Sequence, residues 1–183
     1  MRIIAGERRR YKLQAPAGLE VRPTSELVRG AAMSQLGGFF EGGHVLDLCA
    51  GTGAVALEFL SRGCARAVVV EHDPAVAAIL RANATHTKLL DRIDVHVSDV
   101  VVAVAALAKI HAQFAQIWFD PPWQFERYAQ VLAAIAHGEL LAPQGVLWVQ
   151  SRTPVQDLAP HWQCLDARRY GAGWLQRLGP VPP

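Results

Sequence analysis

The sequence predicts an α/β fold whose sheet holds about seven strands, mostly parallel, with an antiparallel C-terminal strand and a small N-terminal β-hairpin extension in front. Three observations carry this reading. From His44 onward, short apolar runs alternate with helical stretches long enough to cross over a sheet, the pattern of parallel strands. The first run enters its helix through a glycine turn, Gly51-Thr52-Gly53. The last two, 162–170 and 174–178, have no crossover helix between them and therefore pair antiparallel.

Residues 1–13 read as two short strands around a basic turn, a hairpin. Residues 14–23 are rich in Pro and Gly and form a loop, after which Thr24 or Ser25 caps a helix carrying Leu27, Val28, Ala31, Ala32 and Leu36 that stops at Gly37-Gly38. Strands follow at 44–48, 67–71, 93–97, 114–119 and 145–150, with helices at 54–62, 74–86, 100–110 and 125–136 between them. The helix at 74 is the best signalled: Asp73 stands at its N-cap and Pro74 at its first position, where a missing N–H costs nothing. Residues 1–24 thus divide as a basic hairpin and loop from a main domain at 25–183. Crossovers are right-handed, so helices cover both faces and a ligand belongs at the carboxyl ends of the strands.

With 183 residues, 51% of them hydrophobic and 19% charged, the composition excludes disorder, collagen and coiled coil. The longest wholly apolar run, Val100 to Ala108, has nine residues against the roughly 20 that cross a bilayer. No membrane partner is expected, and residues 1–6 lack a leader pattern, so the expected location is cytoplasmic. Cys49, Cys64 and Cys164 are odd in number and unpaired in spacing, which argues against a disulfide framework or zinc site. The seven histidines show no ligand spacing, and no metal is expected. Charge is uneven: residues 1–30 carry a surplus of four positive charges and residues 31–150 a deficit of four. A basic entry segment (Arg8, Arg9, Arg10, Lys12, Arg22, Arg29) ahead of an acidic middle suggests a polyanion-binding appendage.

The run Val45-Leu46-Asp47-Leu48-Cys49-Ala50-Gly51-Thr52-Gly53 passes from strand to helix through a turn that lets a ligand approach the backbone. Eighteen residues beyond Gly53, the next strand ends at Glu71-His72-Asp73, with Glu71 placed to clamp ribose hydroxyls. A third strand ends at Ser98-Asp99, where a polar group can read the exocyclic amine of adenine. The glycines also fit a dinucleotide. Asp47, four residues before Gly51, tips the balance, since a carboxylate aimed at the turn repels pyrophosphate and suits an ammonium. S-adenosylmethionine is the favoured cofactor, held by Asp47, Ala50, Gly51, Thr52, Gly53, Glu71, His72, Ser98, Asp99 and Asp120.

The fourth strand ends in Asp120-Pro121-Pro122-Trp123. Two prolines fix the backbone and remove two N–H groups, leaving the Asp120 carboxylate and the Pro121 carbonyl as paired acceptors for a planar NH2, while Trp123 offers a stacking face. These four residues are the catalytic candidates.

Together these motifs resemble the class I S-adenosylmethionine-dependent amino-methyltransferases, with their Rossmann-like sheet. More narrowly the chain is similar to the RsmD family of 16S ribosomal RNA guanine-N2 methyltransferases. The resemblance runs from Met1-Arg2-Ile3-Ile4-Ala5-Gly6 and its arginines through Arg22-Pro23-Thr24, Ala50-Gly51-Thr52-Gly53 and Leu57-Glu58 to Asp120-Pro121-Pro122. It departs at Gly30, where the family usually has Glu, and at Trp123, where it usually has Phe. The resemblance implies methyl transfer to the N2 amine of a guanine in 16S rRNA within the small ribosomal subunit or an assembly intermediate, with no obligate protein partner. It also implies RNA contacts from Arg8, Arg9, Arg10, Lys12, Arg22, Thr24 and Arg29. The rival readings are methylation of adenine N6 in DNA or of a protein glutamine, and an NAD-dependent oxidoreductase.

Overall fold

A computed structural model describes residues 1–15, 26–156, 158 and 160–181. Strands β1 (His44–Leu48), β2 (Arg66–Glu71), β3 (Ile93–Val97), β4 (Phe114–Phe119), β5 (Leu141–Ser151), β6 (Trp162–Tyr170) and β7 (Gly173–Pro180) form one sheet in the order β3-β2-β1-β4-β5-β7-β6. The first five are parallel, and β7 runs antiparallel between β5 and β6. Chain order reverses on either side of β1, whose Asp47 lies in register with Val69 of β2 and Trp118 of β4. That reversal opens a crevice at the carboxyl ends of β1 and β4, the place where such sheets bind ligands.

The central parallel strands β1, β2 and β4 are largely buried because helices flank them on both faces, whereas the edge strand β3 is only partly buried. Helices α1 (Glu26–Gln35), α2 (Ala54–Ser61) and α3 (Pro74–His86) contribute Met33, Leu57, Phe59 and Leu80 to one apolar layer. Helices α4 (Val100–Lys109) and α5 (Tyr128–His137) contribute Val104, Leu107, Leu132 and Ile135 to the other. Asp73 caps α3 by accepting from Ala75 N–H at 2.7 Å, as its sequence signal requires.

Two boundaries differ from the sequence reading by three residues or more. α5 starts at Tyr128 rather than 125, because Phe125 N–H closes a turn onto the Pro122 carbonyl at 2.8 Å and its ring packs edge-on against Phe119. β5 starts at Leu141 rather than 145, with a register shift against β4 between Phe114 and Gln116 that accommodates the extra residues.

The expected N-terminal hairpin is reduced to one antiparallel bridge, Arg2 to Lys12, with Ile3 N–H donating to Tyr11 O and Leu13 N–H to Met1 O. What fixes it is α2. Glu58 is fully buried, and its carboxylate accepts from Ile4 N–H at 2.8 Å, Ala5 N–H at 3.1 Å and Arg62 Nε at 2.7 Å. A buried charge requires that full complement of partners. Ile3 and Leu13 complete the docking by burial in the same apolar layer as α2. Arg22 and Thr24 lie outside the described residues.

Candidate active site

The crevice between β1 and β4 is built from strand ends. β1 stops at Leu48, and Cys49 takes a left-handed backbone (φ 60) that starts the turn. The turn closes with Gly53 N–H bonded to Ala50 O at 2.9 Å, and Ala50 N–H is itself tied to Val70 O of β2. Gly53 has φ 81, and a Cβ there would stand 2.8 Å from Leu80 Cγ, so only glycine lets α3 pack this close.

From β2, the buried Glu71 carboxylate turns toward this loop: Oε2 accepts from Gly51 N–H at 2.8 Å and Oε1 from Asp73 N–H at 2.9 Å. The exposed His72 ring lies 3.0 Å from Glu71 Oε1. Asp47 points elsewhere than the sequence reading has it. Its carboxylate is buried under α2 and accepts from Ala56 N–H at 3.0 Å, bracing the first turn of that helix from behind the glycines. Thr52 is buried, and its carbonyl accepts from Asn83 Nδ2 at 3.0 Å.

At the end of β3, Asp99 caps α4 by accepting from Val101 N–H at 2.9 Å and pairs with Arg127 at 2.6 Å. Arg127, first among its influences, holds the Asp99 carboxyl below the usual carboxylate range. Ser98 Oγ donates to Asp99 O at 3.1 Å. At the end of β4, Asp120 N–H reaches Leu48 O at 3.4 Å, placing the Asp120-Pro121-Pro122-Trp123 corner directly beside the glycine turn. Pro121 is buried, and among the described residues its carbonyl receives no hydrogen bond. Trp123 lies across from Gly173, and the Arg152 guanidinium stands 5.9 Å from its ring centre.

The crevice is strongly acidic. Cys49 sits in its middle, and burial, then Glu71, Asp120, Asp47 and Asp99, all push its thiol up, so it is no nucleophile. Burial first, with Asp120 and Glu71 adding to it, pushes the Asp47 carboxyl up to about 8 despite the Ala56 bond. Tyr128 is likewise raised, by burial and then by Asp120. With Asp47 mostly protonated near neutral pH and Asp99 paired with Arg127, the Glu71 and Asp120 carboxylates leave the turn anionic, which suits the cationic S-adenosylmethionine better than a pyrophosphate.

The basic residues scatter. Arg9, Arg10 and Lys12 are exposed. Arg8 is half-buried, donating to Thr87 O at 2.7 Å. Arg29 corrects the sequence reading: it is fully buried and donates to Arg2 O at 2.8 Å, so it braces the N-terminal segment and cannot meet a phosphate. Arg127 and Arg152 were missed because neither lies in a basic run; only their nearness to Asp120-Pro121-Pro122-Trp123 in sequence and across β5 could have signalled them.

The family model described as Conserved hypothetical protein 95 matches residues 1–177. The chain belongs to this family. It is the RsmD family, to which the motifs point. Ribosomal RNA small subunit methyltransferase D of Escherichia coli K12 is 30% identical over 151 residues, 82% of this chain and 74% of that one. A Bacillus subtilis relative, YlbH, named as a candidate rRNA methyltransferase, is 31% identical over 147 residues, 80% of each chain. A solved Escherichia coli structure, itself named as a candidate methyltransferase, superposes with a TM-score of 0.85 at 26% identity, covering 97% of this chain and 96% of that one. The RsmD-family sheet is therefore the architecture seen here.

Proposed function

We propose that the chain transfers a methyl group from S-adenosylmethionine to the exocyclic N2 amine of a guanine in 16S rRNA. The observation that carries this reading is the acidic crevice, where the Glu71 and Asp120 carboxylates flank one glycine turn beside a rigid Asp-Pro-Pro corner. The cofactor supplies an electrophilic methyl group on a sulfonium.

The chain's residues supply position. A carboxylate has about four lone-pair sites, so Glu71, with two backbone donors already bound, keeps acceptors for ribose hydroxyls. Asp120 and the Pro121 carbonyl hold the NH2 and favour the positive charge that grows on nitrogen. Holding a nucleophile in line contributes about 7–11 kcal/mol, enough without a dedicated base. Trp123 grips the base, and Arg152 beside it meets a flanking phosphate. A paired base hides its amine edge, so the target is unpaired or flipped out.

The relatives' names support rRNA as substrate. Size supports it too. Arg9 shares a cleft with Gly63 and Arg92, which precede β2 and β3, whereas Trp123 and Arg152 follow β4 and β5. The length of β2 puts these ends about 17 Å apart, a span for a structured RNA and not for a free nucleotide.

The test is methyl transfer from labelled S-adenosylmethionine onto 30S particles, naked 16S RNA, duplex DNA and protein side by side, followed by nucleoside digestion. N2-methylguanosine from the ribosomal samples is expected. Label in N6-methyladenine or in protein alone overturns the reading.

A further inference from the structure

We propose that a cleft at the opposite end of the sheet from the crevice binds an unpaired nucleotide of the RNA substrate, remote from the base that is methylated. This inference rests on the ribosomal RNA reading above. The cleft has a volume of about 670 Å³ and lies between the N-terminal turn, the end of α2 and the loop that carries Phe39. That volume falls within the range of small-ligand sites, about 300–1,000 Å³.

Its walls are fixed. Gly6 packs so closely on α2 that a Cβ would overlap the Ser61 carbonyl, and Glu7 N–H bonds that carbonyl at 2.8 Å. On the other side, Phe40 N–H donates to Arg62 O at 2.9 Å and Gly42 N–H to Gly63 O at 3.1 Å, while Phe40 packs on Phe59. On the N-terminal side of Phe39, Arg62 Nη1 donates to Gly38 O at 2.8 Å, so the loop is pinned at both flanks of a ring that nevertheless stays 67% exposed. A backbone fixed on both sides of an exposed ring has its own ordering cost met before binding. The Arg62 guanidinium stands 6.0 Å from the ring centre.

The charge of the cleft selects the ligand. Glu7 is taken by Arg92 at 2.7 Å and Arg8 at 3.5 Å, and Arg62 is taken by buried Glu58. Arg9 is exposed and forms no ion pair among the described residues, so it is the surplus cation. A ring for stacking beside an uncommitted arginine is how proteins hold single-stranded nucleic acid. A base stacks on Phe39 and its phosphate meets Arg9.

The test compares wild type, Phe39→Ala and Arg9→Ala in binding a fluorescein-labelled single-stranded hexauridylate and 30S particles, with S-adenosylmethionine affinity as the control for folding. Each substitution is expected to weaken oligonucleotide binding about tenfold and to raise KM for particles, with cofactor affinity unchanged. A photoreactive benzoylphenylalanine at position 39 is expected to cross-link to RNA in the particle. Wild-type binding that neither substitution alters overturns the cleft alone, as does a cross-link to ribosomal protein only. No binding of wild type to particles or RNA overturns the substrate reading itself.

Discussion

Glu71 at the end of one strand holds the glycine turn at the end of the next, its Oε2 accepting the Gly51 N–H at 2.8 Å. The same carboxylate fixes Asp73 N–H at 2.9 Å and so the start of α3. Hydrogen bonds to a charged partner are worth about 1.5–3 kcal/mol each. Glu71→Gln replaces one acceptor by a donor aimed at an N–H, and a fall of tenfold or more in S-adenosylmethionine affinity is expected by calorimetry. An affinity within twofold of wild type contradicts the clamp.

Burial of Asp47 gives stability a specific pH dependence. Its carboxyl rises from the ordinary 3.8 to about 8, so the folded chain holds a proton that the unfolded chain has lost. That contribution is complete below about pH 4 and declines as pH rises toward about 8, with a slope of up to about 1.4 kcal/mol per pH unit. Asp47→Asn abolishes the titration. Melting temperatures of wild type are expected to fall relative to Asp47→Asn between pH 5 and pH 8; parallel curves contradict this.

Arg29 and Gly6 are structural, although both lie in the basic segment that reads as RNA-binding. A Cβ on Gly6 would meet the Ser61 carbonyl at 1.8 Å, and truncating Arg29 strips a buried donor from Arg2 O. Arg29→Ala is expected to cost about 1–3 kcal/mol in urea denaturation, and Gly6→Ala at least as much. A stable Arg29→Ala chain with impaired RNA binding reverses this assignment.

These residues show what sequence can and cannot disclose. The strand and helix order follows from apolar periodicity and from caps such as Asp73-Pro74, because each is a local property of the chain. The glycine turn and Asp120-Pro121-Pro122 corner are legible for the same reason. Side-chain direction is not local. Asp47 braces Ala56 from beneath the turn, Arg29 turns inward, and Arg127 crosses to Asp99 over 28 positions of sequence. The shortening of α5 had no helical signal either, since Phe125 leaves the helix to pack on Phe119.

Arg152 is exposed, and its guanidinium stands 5.9 Å from the ring centre of Trp123, the proposed stacking face. As a phosphate contact it adds affinity without base selectivity. Arg152→Ala is expected to weaken binding to 16S RNA and to lower the slope of log K against log salt by about 1, leaving cofactor affinity intact. An unchanged slope removes Arg152 from the interface.

The proposal that the rigid acceptor corner holds the reacting amine is tested most directly at Asp120. Methyl transfer from labelled S-adenosylmethionine to 30S particles is measured for wild type and Asp120→Ala under single-turnover conditions, with both ligands saturating. A loss of about a hundredfold or more in the transfer rate is expected, in the range seen when a preorganised transition-state contact is removed. Transfer by Asp120→Ala at the wild-type rate contradicts the account.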